Sequence, residues 1–117
     1  MKINLEQVTL RNEAWRRVLF TTPQQQLVLM YLPPGDTIPM EVHHAATQFI
    51  RIEAGTGVAI IGPTRHLLRP GDAVMIPPDT PHEIRAAPSG EGLSLYTLYA
   101  PPHHAPGLVQ RVHPLED

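Results

Sequence analysis

Cysteine is absent from the 117 residues, which excludes a disulfide framework and thiolate chemistry and fits a reducing interior. Lysine is almost absent: Lys2 is the single one, no Lys/Arg cluster occurs, and the formal net charge is -2. Without a basic patch, neither a nucleic-acid partner nor attachment to an anionic membrane is expected. No apolar run approaches membrane-spanning length. The opening segment MKINLEQVTLRNEAW spreads its charges and has no continuous apolar stretch of the secretory kind. A cytoplasmic protein is the expectation. Internal repeats, low-complexity tracts and linkers are also missing, so residues 1–117 read as one domain with one core.

What the chain does have is proline and glycine, 14 and 8 of them. Proline inside a helix costs about 3 kcal/mol, so this density leaves little room for long helices. Hydrophobic residues at 42% and charged residues at 17% place the chain among globular proteins. Turn-forming stretches such as LPPGD, EAGTG, RPGD and PPDTP separate short runs rich in aliphatic and β-branched residues, among them WRRVLF, LVLMYL, QFIRI, AVMI, HEIRA and LSLYTLYA. That pattern predicts an all-β antiparallel sandwich or barrel. NLEQVTLRNEAWRR has room for a turn of helix, and the tail LVQRVHPLED reads as a terminal strand or strap.

The stretch MEVHHAATQF raises the functional question. On a strand, alternate residues share a face. Glu41 and His43 then point one way, Val42 and His44 the other. HAAT is short enough to turn the chain, and in the next run Gln48 shares the inward face with Ile50 and Ile52. Farther on, His82 shares a face with Ile84 and Ala86. An unpaired buried polar group costs about 1–3 kcal/mol. A metal ion would satisfy Glu41, His43, Gln48 and His82 together.

With these residues in place the chain resembles the cupin superfamily. The first cupin motif runs from a glycine through a His-x-His pair and a Glu to a closing glycine. Gly35, Glu41, His43, Gln48 and Gly55 occupy its places, with Glu for the first His and Gln for the Glu. In the second motif Gly71, Pro77 and His82 match, whereas Asp79 stands for a glycine and Ala86 for an Asn. The resemblance implies a jelly-roll barrel, an antiparallel double-stranded β-helix, with its core at roughly 25–100. An N-terminal strand and a C-terminal strap would lie outside that core. The donor inventory is similar to that of the phosphomannose isomerases, larger cupins that use Gln, His, Glu and His, with Glu and Gln exchanged. Such a set suits Zn, Mn, Fe or Ni.

Three functions follow as expectations. One is a sugar isomerase-like enzyme, in which the ion acts on a carbonyl and hydroxyl while a residue at the mouth moves the proton. The others are a metal-dependent dioxygenase and a non-catalytic binding or sensor barrel. The partner in each case is a small oxygenated metabolite. His103 and His104, in PPHHAPG, lie in a loop that could close over the mouth. Tyr96 and Tyr99 fall on opposite faces of LSLYTLYA, so at most one looks inward. His104 and Tyr96 are the candidate proton-transfer groups. His44 is expected at the surface, and His66 and His113 have no assigned role. Arg51, Arg65, Arg69 and Arg85 are read as solvated surface rather than as an anion clamp. Met30, Met40 and Met75 are read as core or cavity lining. QLVLMYL, taken as an outer strand of a small barrel, is apolar on both faces, which is unusual there and motivates a homodimer.

Overall fold

Prolines and glycines set the element lengths in the computed structural model, which describes residues 1–115. Asn4 caps the one described helix, α1 (Leu5–Arg11), by accepting at Oδ1 from the Gln7 N–H at 3.0 Å. The strands follow as β1 (Arg16–Thr21), β2 (Gln26–Leu32), β3 (Thr37–Glu41), β4 (Thr47–Ala54) and β5 (Gly57–Ile61). They continue with β6 (Thr64–Leu68), β7 (Ala73–Ile76), β8 (His82–Ala86), β9 (Leu93–Ala100) and β10 (Val109–Gln110). One sheet has the order β10-β1-β2-β9-β4-β7 and the other β3-β8-β5-β6. Every neighbouring pair is antiparallel. This is the jelly-roll arrangement.

The inward faces of the two sheets enclose a core that includes Trp15, Ile50, Ile52, Ile84, Leu93 and Leu95. Each such side chain contributes about 1.5–3 kcal/mol on leaving water. Gly55, at the β4–β5 turn, is required there: its φ is +83, and a Cβ would stand 1.8 Å from the Gly92 carbonyl oxygen.

The start of β1 and the segment around β10 meet on one side. The Trp15 N–H donates to Arg111 O at 3.2 Å and the Val18 N–H to Leu108 O at 2.8 Å, beside the β1–β10 ladder. Trp15 Nε1–H donates to Asp36 Oδ2 at 3.0 Å, and the His113 ring stacks on the indole at 4.4 Å with its Nδ1 2.7 Å from Asp36 Oδ1. His113, which the sequence left without a role, thus fastens the C-terminal strap.

Two expectations are corrected here. Met40 and Met75 are 52% and 58% exposed, whereas Met30 alone of the three is core, at 1%. The apolar strand β2 is no outer strand: β1 and β9 flank it. Its second face is covered from within the chain. Leu29 is 2% exposed beside Val8 and Ala14, and the Tyr31 N–H bonds Ala14 O at 3.1 Å. The double-faced apolarity therefore has an intramolecular cause. No described helix is long and apolar enough to cross a membrane.

Candidate metal centre

The alternation that aims Glu41 inward is not inherited from the start of β3. Ile38 pairs with Ile84 and Glu41 with His82, three steps on one strand against two on the other. One extra residue is accommodated near Pro39, a residue that strands tolerate at bulges. Were the same residues paired without a bulge, Met40 would follow Ile38 into the core and Glu41 would face water. With it, Met40 and Val42 are exposed, Glu41 is half-buried and His43 is buried.

His43 lies just past the end of β3, and its carbonyl oxygen accepts from the Asp79 N–H at 2.9 Å. That bond ties the first motif to the PPDTP turn. Asp79, standing where the family motif has glycine, holds φ at +64. His44 leaves the site and pairs with Asp79 at 2.9 Å on an exposed surface.

His82 opens β8 with its Nδ1 2.9 Å from Thr80 O. A carbonyl only accepts, so Nδ1 carries the proton, and in the neutral ring Nε2 presents a lone pair. That Nε2 lies 3.7 Å from Glu41 Oε1, and His43 Nε2 lies 3.4 Å from the same oxygen. The ligand atoms of Glu41, His43 and His82 all fall within 4.8 Å of one another. Burial raises the Glu41 carboxyl pKa, but His43 and His82 beside it, in their protonated form, outweigh it and hold the group well below the usual carboxylate range.

Gln48 joins from β4. Its Nε2 donates to Thr97 Oγ1 at 3.0 Å and to the Tyr99 hydroxyl at 3.2 Å. Gln48 Oε1, His43 Nε2 and His82 Nε2 are buried without a hydrogen-bond partner. Buried polar atoms left in this state are costly unless something else binds them. The donor set fits a divalent ion: two donors each about 2.0–2.1 Å from a tetrahedral ion stand about 3.3 Å apart. The two measured donor separations, 3.4 and 3.7 Å, lie near that value. Two imidazoles, one carboxylate and one amide oxygen suit Zn, Mn, Fe or Ni alike.

Over this cluster runs the segment after β9. The His103 ring packs edge-on to His43 at 4.1 Å and lies 5.4 Å from Tyr99; the His104 ring packs on Tyr99 and on His103, at 5.3 and 4.7 Å. Burial, with the Arg16 charge, pushes the His104 imidazole down to about 3. At neutral pH that ring is uncharged and a poor proton donor. Burial and then the His43 charge also lower His103.

Tyr96 is corrected. Leu93, Leu95, Thr97 and Tyr99 are buried along the inward face of β9, which leaves Tyr96 on the other face, with its ring 6.4 Å from Phe49. Tyr99, 1% exposed, is the tyrosine at the site. Of the arginines, Arg51 pairs with Glu53 at 3.3 Å. Arg65, Arg69 and Arg85 line a cavity of about 610 Å³ with Leu67, away from the histidines.

Residues 28–99 match the cupin domain family. An uncharacterized protein of Acanthamoeba polyphaga mimivirus is 44% identical over 108 residues, 90% of this chain and 68% of its own length. The uncharacterized protein YrkC of Bacillus subtilis is 33% identical over 113 residues, 92% of this chain and 60% of its own. Both relatives therefore extend well beyond the region shared with this chain. A crystal structure of a Bacillus halodurans protein superposes with a TM-score of 0.92 at 34% identity, covering 95% of this chain and 88% of that one. Fold, motif spacing and these relatives agree: the chain belongs to the cupin domain family.

Proposed function

We propose that Glu41, His43 and His82, with Gln48 as a fourth donor, hold one divalent metal ion, and that the protein is a metal-dependent enzyme acting on a small oxygenated metabolite. The observation that carries this reading is the pair of buried, unpartnered donor atoms on His43 and His82 beside the Glu41 carboxylate, with Gln48 Oε1 likewise buried and unpartnered. A bound ion would supply Lewis-acid polarisation of a carbonyl or hydroxyl oxygen. The chain's own part is positional. Thr80 fixes the His82 tautomer, the Asp79 N–H holds the His43 backbone, and the Tyr99 hydroxyl is the protic group at the centre.

The four-donor set supports sugar-isomerase-like chemistry, in which Tyr99 takes the role that the sequence gave to Tyr96. A second reading has its own support. Glu41, His43 and His82 alone form a two-His-one-carboxylate group, the pattern of non-haem iron oxygenases. Gln48 would then only orient Tyr99 and Thr97. Cytoplasmic residence belongs to this proposal and rests on composition. A homodimer loses the support that β2 lent it, and a monomer by light scattering would remove it.

The deciding experiment is elemental analysis of untagged protein beside His43→Ala, His82→Ala and Gln48→Ala. Near-stoichiometric metal that is lost in both histidine variants establishes the centre. Loss in Gln48→Ala as well favours the isomerase; retention, with iron-dependent oxygen uptake, favours the oxygenase. If no ion is retained after reconstitution, the centre is refuted and a binding barrel takes its place.

A further inference from the structure

Gln26 is 1% exposed and its amide is fully used. Its Nε2 donates to Thr21 Oγ1 at 3.0 Å and to His104 O at 2.8 Å, while its Oε1 accepts from the His103 N–H at 3.1 Å and the His104 N–H at 2.9 Å. An amide side chain has two protons and two lone-pair sites to offer. Three of the four bonds go to the backbone of two consecutive residues in a segment outside regular strand structure. A buried polar group so completely satisfied by one loop rigidifies that loop.

The segment it holds is the one above the metal centre. His103 is exposed, while His43 beneath it is 6% exposed. The His103 ring lies between solvent and His43, with Tyr99 on a neighbouring side. His104 packs instead on Tyr99 and on His103. Resting on the metal reading above, we infer that His103 is the side chain that contacts a small anion bound at the centre, and that Gln26 is its positioning residue. The class of ligand is a compact oxyanion or carboxylate, which an imidazole N–H can meet at its outer edge while the ion holds the inner one.

The test uses cobalt(II)-reconstituted protein, with azide as the probe and visible absorption as the readout. His103→Ala, a change at an exposed position, is expected to keep the cobalt bands and weaken azide binding about tenfold. Gln26→Met, which keeps the shape but not the bonds, is expected to weaken it in the same direction. In the His103→Ala background it should have no further effect, because Gln26 acts through that ring. Azide binding that is unchanged or tighter in His103→Ala, or losses that simply add, would overturn the inference while leaving the metal centre intact. Missing cobalt bands in the wild type would overturn the metal reading and this inference with it, and bands without any azide response would overturn this inference alone. Amide exchange on the wild type tests the fastening without a variant: the His103 and His104 N–H groups should be protected, and exchange at free-peptide rates would overturn the role of Gln26.

Discussion

Glu41 faces His82 across the β3–β8 ladder one residue out of step with the Ile38–Ile84 pair below it. The bulge therefore absorbs one extra residue and keeps Glu41 inward, and it depends on chain length rather than on any particular side chain.

Deleting Met40 leaves two steps on each strand, Ile38 to Glu41 against Ile84 to His82, so the ladder becomes regular with Glu41 and His43 still facing inward. Metal content is therefore expected to be kept, as read by elemental analysis. Met40→Ser, a change at a position 52% exposed, should keep the metal and shift stability by no more than about 0.5 kcal/mol. A deletion variant that folds but loses its metal would refute this reading of the bulge.

An ion that binds only the folded chain adds stability by mass action, about 2.7 kcal/mol when its concentration is a hundredfold above Kd. Chelation should thus lower the Tm of the wild type by several degrees. The same treatment should leave His82→Ala unmoved, and a scan with and without chelator decides it.

Glu41 gives a pH signature in the metal-free protein. Its folded pKa lies below the ordinary value of 4.5, so the ionised form is the one the fold stabilises. That contribution is complete above pH 4.5 and is lost as pH falls through the folded-state value. Urea unfolding of wild type and Glu41→Gln should show a gap that narrows as pH falls below 4.5. A gap that widens on acidification would contradict the depressed pKa.

Asp79 sits in the left-handed region at φ +64. A non-glycine residue there costs about 1 kcal/mol, whereas its exposed pair with His44 is worth at most about as much. Asp79→Gly is therefore expected to match or exceed wild-type stability. Asp79→Val should cost about 1–2 kcal/mol by chemical denaturation, since a β-branched residue fits that conformation worst.

How much of this was legible beforehand differs by element. LSLYTLYA and HEIRA became β9 and β8 with the stated limits, because each alternates cleanly and ends at Pro or Gly. β6 is not among the runs that the sequence marks as strands: TRHLL is exposed at all but its last residue and carries no burial pattern. The grouping of Glu41, His43 and His82 was visible through motif spacing. Tyr96 was preferred to Tyr99 because a strand's alternation does not say which face is inward; Thr97, hydrogen-bonded to Gln48, decides it. Gln26 left no local trace at all. Its partners His103 and His104 lie more than seventy residues away, and nothing in TTPQQQ marks the third glutamine as the buried one.

The position of β1 between β2 and β10 has a consequence for how the molecule is made. Once synthesised, β1 finds one neighbour soon, but Val109 and Gln110, which line its other edge, are synthesised only after the strands β2 to β9. Until then β1 presents an open rank of backbone donors and acceptors to whatever else is in the cell. Closing a sheet through contacts this distant along the chain is also intrinsically slow. The nascent barrel should accordingly be the form that draws chaperones and proteases, and a chain released before residue 109 should be short-lived even with every metal ligand already in hand.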